Sequence, residues 1–427
     1  MRLAFIIKKE VIMDALIVLS YLAIIFLAGI LCSIISTKLK ISNILLLVLA
    51  GIVLNKIKYN GASLIQFPGV FLTSMSIFAL AMIVFDASSR LKLREFNRFS
   101  ISAVKLTITF LILNIIFLTF FSWLVIGVKS IFLAALFAAL MSGTDPDAVM
   151  AMLGNFKSKA VDILKIESLI NTPVVVLVPF IILDIMGSIK AGMLMTNFLD
   201  KVIPFLQQFV VGIGAGILMG IIMLKAMKKA YSELLSPFAI ITAALLTYII
   251  AENLKGNGVL AVTAMGLFFG NIYVKEKNQL IEFSSLFANF LEIIVFILVG
   301  LSIELPFNKN FLIKSFILFI LYLLIRFAAI SFSLRQAGLS FREKLFMTLN
   351  VQKGIAVAAI ALSLTTYSVQ QISIVEGVKE AIKIPFISLP GAVEILHLTL
   401  LFMLYSIILS TIVIKLSKYF IEAEIRK

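Results

Sequence analysis

Long apolar runs constrain this chain more than any other feature. About 13 of them follow one another, each close to the roughly 20 residues needed to cross about 30 Å of hydrocarbon. They cover residues 11–33, 41–55, 69–87, 100–125, 130–153, 161–187, 203–224, 235–252, 258–273, 284–304, 311–333, 345–368 and 392–416. Inside a bilayer every backbone N–H and C=O must find a partner within the protein, which leaves helices and closed barrels. Barrel strands alternate over about ten residues, and these runs do not. The chain has 427 residues, 62% of them hydrophobic and 14% charged, against about 25% charged in soluble domains. The reading is an all-α polytopic membrane protein forming one integral membrane domain over 1–427.

The net charge of +15 is a loop property and not a nucleic-acid footprint. With the amino terminus outside and the carboxyl terminus cytoplasmic, the inner loops carry Lys38/Lys40, Arg90/Lys92/Arg94/Arg98, Lys157/Lys159, Lys225/Lys228/Lys229, Lys275/Lys277 and Arg335/Arg342/Lys344. That is the positive-inside pattern, although Arg2, Lys8 and Lys9 run against it. The amino-terminal stretch lacks the layout of a cleaved signal peptide. The expected location is a multi-pass cell membrane protein. The one cysteine, Cys32, excludes an internal disulfide. No nucleotide-binding loop, cofactor motif, zinc-ligand spacing or nucleophile–base pair is visible, so transport would be secondary and an enzyme is not expected. No cofactor is expected either.

Two motifs interrupt the apolar pattern. The first is Ser142-Gly143-Thr144-Asp145-Pro146, and the second is Glu167-Ser168-Leu169-Ile170-Asn171-Thr172-Pro173. Charged side chains at mid-membrane depth are costly and mark ion or proton paths. Proline removes an amide donor and opens the helix, so freed carbonyls beside Asp145 would offer hard oxygen ligands suited to Na⁺ or Li⁺. Alternatively, Asp145 caps the second half-helix; the two roles are compatible. Asp147 is either a path residue or a solvated carboxylate. Glu167 and Asn171 share one helix face, with Ser168 and Thr172 on the adjacent edge. Glu167 needs a cation, and a buried pair with Arg326 is expected. Lys353, in Asn350-Val351-Gln352-Lys353-Gly354, either neutralises half-helix carbonyl ends or snorkels to the inner surface. Asp86 and Glu292 lie near span ends, where solvation is expected, and His397 reads as a bystander. Gly212, Gly216 and Gly220 form a small-residue face for helix packing, within the chain or between subunits.

Spans four to six and eleven to thirteen each read as a long helix, a broken polar helix and a long helix. They lie seven spans apart, which inverts their orientation. This is the inverted-repeat plan of secondary transporters, with a site where two broken helices cross.

At these residues the chain resembles the NhaP-like sodium/proton antiporter branch of the monovalent cation:proton antiporter superfamily. The likeness rests on Thr144-Asp145-Pro146, Glu167-Ser168-x-x-Asn171, Phe85-Asp86, Phe296-Ile297-Leu298-Val299-Gly300-Leu301, Arg326 and Lys353-Gly354. The resemblance implies a homodimer in which a mobile core, about 100–187 and 311–418, moves against a scaffold and dimerisation panel. It implies that Thr144, Asp145, Glu167 and Ser168 line the cation site, with Asn171 bracing the break and Arg326 pairing with Glu167. Lys353 stands where most members have arginine. Thr172 stands where the family usually has the aspartate that carries cation and proton. The expected activity is therefore Na⁺/H⁺ exchange by alternating access with Asp145 as the Na⁺ ligand, Li⁺ or K⁺ being the other cations open. The alternative is a non-exchanging channel, uniporter or membrane scaffold.

Overall fold

The computed structural model describes residues 2–39, 42–59, 62–63, 65, 67–91, 98–145, 158–190, 198–229, 231–273, 276–302, 308–366, 368–375 and 378–420. The helices are α1 (Arg2–Leu39), α2 (Asn43–Lys56), α3 (Gly69–Ser89), α4 (Arg98–Leu113), α5 (Ile131–Leu140), α6 (Lys159–Lys190), α7 (Phe198–Lys229) and α8 (Leu235–Asn253). They continue as α9 (Gly258–Asn271), α10 (Lys277–Ser302), α11 (Lys309–Ser333), α12 (Phe341–Leu349), α13 (Ile355–Thr366), α14 (Ala392–Lys415) and α15 (Ser417–Phe420). Among the described residues, nine helices are long and apolar enough to cross a membrane. The shorter apolar helices α2, α5, α9 and α13 complete the thirteen segments expected from the sequence.

Local chemistry sets several helix ends. Ser130 accepts a bond from the amide of Leu133 at the start of α5, and Asn257 does the same for Leu260 at the start of α9. Ser340 and Glu343 close a reciprocal capping box on α12, satisfying two otherwise orphaned donors. The rod begun by α4 continues through π-helical turns at Asn114–Leu118 and Ser122–Ile126. It stops at Gly127, whose φ of +85° suits glycine.

The broken polar span expected over 345–368 is two helices, α12 and α13, separated by Asn350–Gly354. The long connection 369–391 contains an antiparallel hairpin of β3 (Ser368–Val375) and β4 (Val378–Pro385), in register Ser368 to Pro385. A smaller pair, β1 (Lys58–Tyr59) and β2 (Ala62–Ser63), follows α2. Alternating β-branched and polar residues suit β3, but eight residues are too few to register as a span. By contrast, α6 stays helical through Pro173. Only the first of the two polar motifs coincides with a break.

The helices pack in two groups. One contains α1, α2, α3, α7, α8, α9 and α10, and the other α4, α5, α6, α11, α12 and α14, with α13 lying between them. They meet mainly where α13 lies against α3 and α10, and where α6 lies against α3 and α9. The glycine face of α7 packs inside the chain against α9. A Cβ on Gly212 would come within 2.9 Å of the Asn257 carbonyl oxygen, and one on Gly216 would overlap the Ala261 carbonyl. Gly214 faces open space. Gly216→Val is expected to destabilise the protein by about 1–3 kcal/mol through overpacking, while Gly214→Val is neutral. Melting temperatures of the two variants in detergent check this contrast.

Candidate functional site

The site begins with an electrostatic problem at the end of α5. A helix that stops inside a membrane leaves carbonyl oxygens without partners. The Lys353 ammonium donates to Met141 O at 2.6 Å, Gly143 O at 2.7 Å and the Tyr322 hydroxyl at 2.6 Å. These use its three donors, and the side chain is fully buried. Snorkelling is therefore replaced by neutralisation of the half-helix end. The backbone of the second break then meets that of the first, because the Asp145 amide donates to Gln352 O at 2.8 Å. A Cβ on Gly354 would overlap the Asp145 carboxylate, so the close approach of the two interrupted segments requires glycine there.

Side chains from α6 and the α4 rod hold the crossing. Asn171 Nδ2 donates to Thr144 Oγ1 at 2.8 Å. Asn114, in the first π-turn, donates to Ser142 Oγ at 3.2 Å. Glu167 and Arg326 form a two-point pair, Nη1 to Oε1 at 2.5 Å and Nη2 to Oε2 at 2.7 Å. Both side chains are fully buried, and the guanidinium lies 4.5 Å from the centre of the Phe110 ring. Paired in this way, Glu167 is absent from the cavity wall.

A cavity of about 130 Å³ opens beside the crossing. It has room for several waters, one of which needs on the order of 10–15 Å³. Asp145, Thr144, Ser168, Asn171 and Thr172 all line it. The Thr172 hydroxyl donates to Ser168 O at 2.7 Å and the Ser168 hydroxyl to Lys165 O at 3.1 Å. Each donor is thus spent on its own helix, and the oxygen remains available as an acceptor. Gly143, Gly354 and Val175 complete this side. Pro146 and Asp147 lie outside the described residues.

The opposite wall holds residues whose part the sequence reading missed. Asp86 and Glu292, expected to be solvated, line the same cavity with Asn289 and Arg90. Asp86 pairs with Arg90 Nε at 3.1 Å and accepts a bond from Ser285 Oγ at 2.9 Å. Arg90 also bonds Ser285. Asp86 stands near the end of α3, whereas Glu292 stands near the middle of α10, and the packing of the two helices brings both to the cavity. One available signal was the three-residue spacing of Asn289 and Glu292, which puts two polar groups on one face.

The end of α5, the gap between α12 and α13, the buried ammonium that joins them and the carboxylate at the cavity wall fit the plan of secondary transporters built from inverted repeats. Residues 22–417 match the family described as sodium/hydrogen exchanger, transmembrane, and the chain belongs to that family. It is 25% identical over 336 residues to the probable Na(+)/H(+) antiporter 2 of Methanocaldococcus jannaschii, covering 71% of this chain and 74% of that one. It is 23% identical over 398 residues to the Na(+)/H(+) antiporter 1 of the same organism, covering 87% of each. The structure of the sodium proton antiporter MjNhaP1 from that organism at pH 8 has the same fold. Its TM-score is 0.73 at 22% identity, over 93% of this chain and 97% of that one.

The buried pair yields a direct prediction. Arg326→Met strands the Glu167 charge, an arrangement that costs about 3–5 kcal/mol. Replacing both residues by methionine is expected to recover much of the loss, as read from thermal melting of the two variants.

Proposed function

We propose that this chain is a secondary antiporter exchanging a monovalent cation, Na⁺ in the first instance, for protons. The observation carrying this reading is Asp145: a carboxylate at the wall of a cavity with room for several waters, placed where the end of α5 meets the break between α12 and α13. Ionised, Asp145 binds the cation with help from the oxygens of Thr144, Ser168 and Thr172. Protonated, it is neutral and releases it. Because one carboxylate cannot hold both, cation and proton travel in opposite directions when the site changes sides. Asn171 keeps Thr144 in place, and Glu167–Arg326 and Lys353 hold the crossing together. Glu167 acts through this architecture, not as a ligand.

In this reading the α4–α6 and α11–α14 group is the moving core, and the other helices are the panel. The protein sits in the cell membrane with its amino terminus outside and carboxyl terminus cytoplasmic, as a homodimer through the panel. The packing of the helices into two groups with the cavity at their seam supports the first part. Loop charge supports the orientation.

Purified protein in liposomes, with a pH-sensitive dye reporting proton movement on addition of Na⁺, Li⁺ or K⁺, tests the proposal. Asp145→Asn is expected to fall to the protein-free background. Wild-type exchange by that variant excludes Asp145 as carrier. Thr172 favours a second reading, because its position on the cavity wall carries no acid: a relative that conducts or senses without exchanging. Cation flux without proton counter-movement, or no flux at all, in the wild-type protein would select it. Thr172→Asp is expected to raise exchange or shift its pH profile.

A further inference from the structure

We infer that Arg90, clasped by Asp86 and Ser285, is a gate through which cations reach the cavity. The inference rests on the reading of that cavity as the exchange site and adds its way in.

A surface depression of about 350 Å³ adjoins the cavity of about 130 Å³, and Arg90 lines both. Along α10, the lining of the depression runs from Asn278 to Leu286, and that of the cavity from Ala288 to Glu292. The boundary therefore falls just beyond Ser285. Along α3, Asp86 lines the cavity, and Arg90, one turn later, reaches both hollows. The side chains at this boundary are joined to one another. Arg90 Nε meets Asp86 Oδ2 at 3.1 Å, and Arg90 Nη2 donates to Ser285 Oγ. Ser285 Oγ in turn donates to Asp86 Oδ1 at 2.9 Å. The ring of contacts bridges α3 and α10 where the two hollows adjoin. Exposure falls along the same line, from 44% for the Arg90 side chain to 16% for that of Asp86.

The backbone beneath this latch is held firmly. A Cβ on Gly270 of α9 would overlap the Ser89 carbonyl oxygen, and Asn271 Nδ2 donates to Leu91 O at 2.8 Å. Arg90 stands between those two anchored residues, so the moving part is its side chain. An ion pair this exposed is held weakly, and the depression gives the guanidinium room to swing outward. Because α3 and α10 pack with each other, the latch can open without movement of the core. Closed, it sets a positive charge across the mouth, an electrostatic barrier of the kind that turns back cations in pores. With the guanidinium swung into the depression, that charge no longer stands in the way. In the proposed orientation this is the cytoplasmic mouth, since the end of α3 and the start of α10 adjoin inner loops.

The probe is Ag⁺, a monovalent cation that reacts with thiols. Cys32 is the one cysteine, so Cys32→Ser provides a thiol-free parent. On that background Ala356→Cys puts a thiol on the α13 wall of the cavity, and Leu286→Cys puts one in the depression. Modification of the purified full-length protein is followed as loss of dye-reactive thiol, with Ag⁺ and with neutral methyl methanethiosulfonate. Arg90→Gln is expected to speed the Ag⁺ reaction at Ala356→Cys at least about threefold, and to speed the neutral reagent less. Ser285→Ala, which removes one clasp and keeps the charge, speeds both reagents there and carries the test alone if Arg90→Gln does not fold. The rates at Leu286→Cys change little. Unchanged rates at Ala356→Cys in the folded variants overturn the gate, and so does an equal rise at Leu286→Cys, which marks general loosening. Equal acceleration of both reagents by Arg90→Gln overturns the charge barrier. The labelling requires no transport, so failure here leaves the carrier reading to the Asp145→Asn exchange assay.

Discussion

The Lys353 ammonium is the contact on which the crossing depends. Two helices stop within the apolar interior, and the carbonyls freed at the end of α5 have no water-rich surface to turn to. Lys353 meets two of them and the Tyr322 hydroxyl. Three donors meet three acceptors, so a compact ammonium leaves no donor unmet. A guanidinium, planar and carrying five donors, would require a wider pocket and further acceptors. Lysine at this position is thus matched to its surroundings, not a weakened arginine. The Asp145 amide bonded to Gln352 O then ties one break to the other. Charge neutralisation and backbone satisfaction are accomplished by the same few atoms.

The charges of the protein interior divide into two sets with different duties. Glu167, Arg326 and Lys353 are fully buried, and each is met by strong partners. Such arrangements add little net stability relative to apolar packing but are severely damaged by removal of one member. They hold the geometry. Asp145, Asp86, Glu292 and Arg90 instead line a cavity with space for water, where a charge can exchange its partner. The border between the sets runs through α6: Glu167 faces Arg326 on α11, whereas Ser168 and Thr172, one position along on the same turns, face the cavity. A helix with charge on one edge and hydroxyls on the next can therefore brace the core and wall the site at once.

Much of this was legible in the sequence because membrane burial makes polar residues conspicuous. The thirteen apolar segments and the break at Gly143–Asp145 follow from hydropathy and proline chemistry, the Glu167–Arg326 pair from the need of a buried charge for a partner, and the Asn171 brace from the family resemblance. What was not legible depends on the third dimension. Asp86 and Glu292 were read as solvated span-end residues, yet the packing of α3 and α10 brings both to one cavity. Span six, read as a long helix, does continue through Pro173, since one missing amide can be tolerated in a long, packed helix. The strands of the β3–β4 hairpin are too short to register in a count of membrane spans. The α7 glycine face was ambiguous between internal and intermolecular packing until α9 was seen to fill it.

The position of the cavity gives the architecture its direction. Its walls come from both helix groups, with the crossing and α6 on one side and α3 and α10 on the other. A site enclosed wholly by one group could move through the membrane without changing its ligands. In the proposed cycle a site at the seam exchanges part of its wall as the core moves, because the panel residues would not travel with it. Affinity then differs between the two faces as a matter of geometry, and a ligand that binds one state better shifts the equilibrium by no more than that difference. Under the proposed exchange at Asp145, that asymmetry would let the α3 and α10 wall tune a site carried by the crossing.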